Sequence, residues 1–175
     1  MKTSVVLLQE NLAAACRLHG HFIRSRRNLA GLLPLTANAV TNISVRDVDR
    51  IDLFLGRFAK LQDFLTTKLF RSLARAALEG VEQDVSVFDT LARMEKFGVI
   101  HSLEEWAMLR QLRNSFSHEY LADEQEIADN VNKAYIGAEI LLAALEQVRR
   151  FGITRLGLDL LPCSGGDGKK EKGAG

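Results

Sequence analysis

Only two prolines, Pro34 and Pro162, occur in the 175 residues, so nearly everything between them is free to be helical. Aromatic residues are scarce at 7%, while Ala, Leu, Arg and Glu are plentiful, which favours helix over sheet. An excess of one charge is missing as well: 23 basic residues against 22 acidic ones leave a net charge of +1. A protein that coats nucleic acid along its length is far more basic, so any nucleic-acid contact here must be local. The only cysteines, Cys16 and Cys163, lie far apart and match no metal spacing; they read as reduced thiols of a cytoplasmic protein. No apolar stretch is long enough to span a membrane. The apolar run Val5, Val6, Leu7 and Leu8 is broken by Gln9, Glu10 and Asn11. It is shorter than the core of a signal peptide, so Ala13-Ala14-Ala15-Cys16 is not expected to be a lipoprotein cleavage site.

What is present fits one domain large enough to bury its own core, with 47% hydrophobic and 26% charged residues. The pattern predicts an all-α, up-and-down bundle of four or five helices (residues 1–152), a short packed extension (153–163) and a disordered tail (164–175). A first helix over residues 4–29 ends in a basic cluster followed by Gly31 and Pro34, and a linker covers residues 36–42. Ser44 is placed to cap the longest helix, which carries Ile51, Phe54, Leu55, Phe58, Leu61, Leu65, Leu69 and Leu73 down to Gly80. That stripe is wide enough to face two neighbours, which makes this the central helix. Asp84 can cap a third helix with Val87, Phe88, Leu91 and Met94 on its apolar side, ending at Gly98. Ser102 with Glu105 three residues on opens a fourth helix, and a fifth runs from near Asp123 to Gly152.

The fourth helix breaks its own pattern. Glu105, Trp106, Leu109, Leu112, Phe116 and Tyr120 gather on one face, and Arg113 falls among them, about 40° from Leu109 at about 100° per residue. A guanidinium on an apolar stripe is costly unless it meets a carboxylate, a phosphate or several carbonyls. Five residues on stands His118, whose ordinary pKa lets it both take and give a proton near neutrality. Arginine and histidine together suit phosphodiester cleavage without a metal: the imidazole moves the proton, and the guanidinium holds the phosphate and its developing charge. On a straight helix the two point about 140° apart. Either the helix unwinds around Ser117, or the site is shared across the two-fold axis of a homodimer.

The spacing Arg113-x4-His118-x-Tyr120, with Asn114 directly after the arginine, resembles the signature of HEPN-domain toxins of the HepT-like family. The run Arg57-Phe58-Ala59-Lys60-Leu61-Gln62-Asp63 and the triplet Glu104-Glu105-Trp106 are similar to that family too, and the resemblance covers roughly residues 34–150. It implies an HEPN-like helical bundle and a metal-independent endoribonuclease whose site forms at a homodimer interface, with RNA as substrate and no cofactor. Arg113 and His118 would be catalytic, with Asn114, Ser117 and Asp63 in support. It also implies a toxin–antitoxin partner, an MntA-like minimal nucleotidyltransferase that neutralises the toxin by moving AMP from ATP onto Tyr120. The alternative is a non-catalytic substrate-binding or partner subunit of such a nucleotidyltransferase.

Plainer readings stand beside these. Arg113 can belong to a structural ion pair with Asp63 or Glu119, and Asp63 can equally be a simple surface carboxylate. His19, His21, Arg24, Arg26 and Arg27 can form a phosphate-binding patch, although cations at a helix C-terminus already interact favourably with its dipole. No Gly-rich phosphate loop, paired catalytic carboxylates or other nucleophile–base motif is found.

Overall fold

The computed structural model describes residues 2–78, 85–116 and 123–163, and among these every regular element is a helix. The first helix, α1 (Lys2–Leu29), ends in a single 3-10 turn, Ala30–Leu32. The chain then passes the cis Leu33–Pro34 bond. The expected linker holds one turn of helix, α2 (Ala37–Thr41), because Thr36 accepts a hydrogen bond from the Ala39 amide and starts it. Asn132 fixes this region: its amide group donates to the Leu35 carbonyl and accepts from the Leu35 N–H, both at 2.8 Å.

Ser44 caps α3 (Val45–Phe64), its hydroxyl oxygen accepting from the Asp47 amide at 3.2 Å. The expected single long helix is instead two, joined by a π-helical turn at Leu65–Leu69, with α4 (Phe70–Ala77) beyond it. The reason lies in the sequence. Leu61, Leu65, Leu69 and Leu73 are four residues apart, and each such step drifts about 40° around an ideal α-helix. The wider π turn, closed by the Phe70 N–H to the Leu65 carbonyl, takes up that drift and keeps all four leucines buried. The helix ends before Gly80, which lies outside the described residues.

Helix α5 (Val87–Lys96) is capped by Ser86, whose hydroxyl accepts from the Asp89 amide at 3.0 Å. Asp84, expected in that role, lies outside the described residues. Phe88 is 65% exposed rather than inside: a short helix buries one side only, and Thr90, Leu91 and Met94 occupy it. Gly98 follows with a φ of +70°, the left-handed conformation that closes many helices. Ser102 caps α6 (Leu103–Ser115), and Asp123 caps α7 (Glu124–Leu156).

Helix α3 is central, packing against α1, α6 and α7. Phe22, Phe54 and Phe58 meet in the middle, with Phe22 stacked on Phe54 at 5.5 Å between centroids, and Tyr135 and Phe116 join at the edges. The result is an all-α bundle. No helix among the described residues is long and apolar enough to cross a membrane.

Two expectations fail at the C-terminal end. Helix α7 runs past Gly152 to Leu156, and the chain turns at Gly157, φ +65°. Gly152 does not stop the helix; a Cβ there would lie 3.0 Å from Leu160 Cδ1, so the glycine lets residues 158–163 fold back tightly against α7. The cysteines are not reduced thiols either. Cys16 on α1 and Cys163 form a disulfide with Cα atoms 4.9 Å apart, because the fold-back brings together residues separated by 147 positions. Disulfides persist chiefly in oxidising compartments, so the cysteines no longer argue for the cytoplasm.

Candidate functional site

Three contacts pin α6, and together they aim Arg113. Near its start, Trp106 is fully buried and packs on Phe70 at 5.0 Å. Its Nε1–H donates to Thr66 Oγ1 at 3.0 Å, and that hydroxyl donates in turn to the Gln62 carbonyl at 2.8 Å. Thr66 stands within the π turn, so the irregularity of the central helix presents the oxygen that holds the tryptophan. In the middle, Leu109 lies against Gly137 of α7 so closely that a Cβ on Gly137 would sit 2.7 Å from Leu109 Cδ2. At the end, Phe116 meets Phe58 edge-on at 5.7 Å.

Held in this way, α6 points Arg113 at α3. Arg113 Nη2 donates to Asp63 Oδ1 at 2.8 Å, and Nη1 donates to Asn114 Oδ1 at 2.9 Å. The side chain of Arg113 is 37% exposed and that of Asp63 53%, so the pair lies at the rim of the core. The expected clash of a guanidinium with an apolar face is resolved there: the arginine lies where α6 meets α3 and finds a carboxylate. A guanidinium offers five N–H donors. Two are engaged in these bonds, and Asp63 fixes the plane of the group.

The structure thus brings Asp63, Arg113 and Asn114 together. Ser117, His118 and Tyr120 lie outside the described residues, as does Glu119. The described part of the segment stops at Phe116, seated against Phe58.

The basic patch considered on α1 does not form as one surface. His19 and Arg26 turn towards α7. Arg26 pairs with Glu139 at 2.6 Å and lies 4.6 Å above the Tyr135 ring, and both contacts are structural. His19 is partly buried beside Glu146; burial pushes its pKa below the ordinary imidazole value, and the Glu146 carboxylate partly offsets this. His21 faces α3, where its carbonyl accepts from Arg57 Nη1 at 2.7 Å. That arginine stands three residues before Lys60, both within the run Arg57-Phe58-Ala59-Lys60-Leu61-Gln62-Asp63. Their opposition to His21 was not legible, because it depends on how α1 and α3 pair. Among the described residues no group of three or more His, Cys, Asp or Glu side chains is arranged to hold a metal ion.

No family model, no curated protein and no solved structure matches this chain.

Proposed function

We propose that this chain is an endoribonuclease of the toxin type, in which Arg113 and His118 cleave RNA without a metal. The observation that carries the reading is the fixed Asp63–Arg113–Asn114 group, which lies four residues ahead of the only histidine in the segment. In the reaction His118 takes the proton of a ribose 2′-hydroxyl, and the 2′-oxygen attacks the neighbouring phosphorus. The bond to the 5′-oxygen breaks, and that oxygen leaves with the proton that the His118 imidazolium gives back. Arg113 holds the phosphate oxygens as charge builds on them. The products are a 2′,3′-cyclic phosphate and a 5′-hydroxyl. The site is completed in a homodimer, and a minimal nucleotidyltransferase controls it by placing AMP on Tyr120, where the added phosphate competes for Arg113.

The test is cleavage of a defined RNA by the purified chain in the presence of EDTA, with end analysis of the products. His118→Ala and Arg113→Ala should each lose about 10²–10⁴ in rate, the usual contribution of a positioned proton-transfer group. Undiminished cleavage by His118→Ala would sink the reading.

One observation favours the second reading, a non-catalytic partner subunit of a nucleotidyltransferase: Arg113 already has a carboxylate in Asp63 and needs no ligand to be satisfied. Growth arrest on inducing the chain alone selects the nuclease. The absence of arrest, with AMP still added to Tyr120 by the co-expressed enzyme, selects the partner subunit.

A further inference from the structure

A groove of about 250 Å³ runs between α1 and α3, walled by Leu18, His21, Arg57 and Lys60. It lies on the same helix as Asp63, one turn from it. Along α3 the residues Arg57, Lys60 and Asp63 are three apart, so each is about 4.5 Å further along the axis and about 60° further round. The contacts fix which way they lean. Arg57 reaches α1 at His21, Asp63 reaches α6 at Arg113, and Lys60 lies between them on the exposed side. The outward face of α3 therefore carries a path from Arg113 to the groove.

The charge along that path is only partly compensated. Arg57 bonds a neutral carbonyl, and neither Arg57 nor Lys60 has a carboxylate partner among the described residues. Counting Arg57, Lys60 and Arg113 against Asp63 gives three positive charges less one negative, or +2, where the whole chain carries only +1. Exposed Arg17 and Arg24 flank His21 on α1 and add to the same side. Gly56 stands on this outward stripe too. A Cβ there would meet nothing within 4 Å, so no contact among the described residues requires a glycine. An interior glycine weakens a helix relative to alanine, which makes a close approach from outside the more telling use of it.

We infer that the α1–α3 groove is a phosphate subsite for the RNA strand flanking the bond held at Arg113, with Arg57 and Lys60 gripping the backbone and Leu18 lying against the sugar. This rests on the nuclease reading and adds to it the direction in which the strand leaves the site. It also accounts for how a nearly neutral chain holds a polyanion, since the cations are concentrated where the strand lies.

The experiment is a fluorescence-anisotropy titration of the full chain with a labelled single-stranded 2′-O-methyl RNA, which cannot be cut because the attacking hydroxyl is blocked. Affinity is read against salt concentration. Each lost phosphate contact on a single strand lowers the slope of log K against log salt by about 0.7, so Lys60→Gln should lose about 0.7 and Arg57→Gln/Lys60→Gln about 1.4. Arg155→Gln, at the far end of α7, should leave the slope as it is. Arg57 also ties α3 to α1, but exposed Lys60 makes no side-chain hydrogen bond or ion pair among the described residues, so its variant tests the groove without disturbing the fold. Normal binding with an unchanged slope in both variants overturns the groove and leaves the nuclease reading intact. A wild-type chain that binds no RNA overturns both.

Discussion

Arg113 and Asp63 are fifty residues apart in sequence and 2.8 Å apart in the fold, joined by a hydrogen-bonded ion pair at the rim of the core. Both partners reach solvent, so water screens the pair and its removal should cost less than about 1 kcal/mol of stability. On the nuclease reading proposed above its worth lies in orientation, since a guanidinium fixed in plane meets a phosphate with two parallel donors. Asp63→Asn should therefore melt within a few degrees of the wild type while cutting RNA more slowly. Arg113→Lys should lose more, because a point charge cannot make the paired contact. Equal cleavage rates for wild type and Asp63→Asn would show that the pair merely ties two helices together.

The Trp106–Thr66 bond is a different case, because both residues are buried. Thr66→Val keeps the volume and strands the indole N–H without a partner. Leaving such a donor unsatisfied costs about 1–3 kcal/mol, readable as a lower midpoint in urea with an unchanged slope. Thr66→Ser should recover most of it. If the valine variant is as stable as wild type, Thr66 does not anchor α6.

Much of the frame was legible because its signals are local. Ser44 and Ser102 each accept from an amide three residues on, as their positions before apolar runs suggested, and the last helix starts beside Asp123 as expected. The stripe from Ile51 to Leu73 pointed to the central helix for the same reason. What escaped depends on distant pairing. The π turn answers the spacing of leucines against helices distant in sequence, α1 and α5 among them. The role of Gly152 depends on a segment that returns to cover it, and the joining of Cys16 to Cys163 depends on the whole path between them. The site was legible in part: Arg113 stood out as a cation on an apolar stripe with Asp63 or Glu119 as candidate partners, but that Asp63 meets it depends on how α6 packs on α3.

Burial lowers the pKa of His19 below its ordinary 6.5, while nearby Glu146 acts in the opposite sense. The folded state therefore binds this proton less readily than the unfolded chain. Stability from this group is fully present above the unfolded value, and it is lost as pH falls from there through the folded pKa. Glu146 and Asp47 are also shifted downward, from 4.5 and 3.8, so their losses begin only in more acidic solution. Wild type should lose stability as pH falls from about 7 towards 5, and His19→Gln should show a flatter profile there. Parallel profiles from chemical denaturation would remove His19 as the source.

Cys16 and Cys163 close a loop that contains nearly the whole bundle, and the strength of that closure can be measured separately from the packing it accompanies. Residues 158–163 are also held without the sulfurs: Leu158 N–H bonds the Gly152 carbonyl at 3.0 Å, Arg149 Nη1 reaches the Leu160 carbonyl, and Leu158 and Leu160 pack on the core. Cutting the disulfide should therefore leave the fold-back in place under native conditions while freeing the unfolded chain to expand. Cys163→Ser should lower the unfolding free energy by about 2–4 kcal/mol, most of it through the unfolded state. With a dithiol reductant present, wild type and variant should unfold at nearly the same denaturant concentration. Without it, they should separate. A wild-type curve that ignores the reductant, while mass measurement shows both thiols free, would mean that the fold-back alone carries the stability of this end.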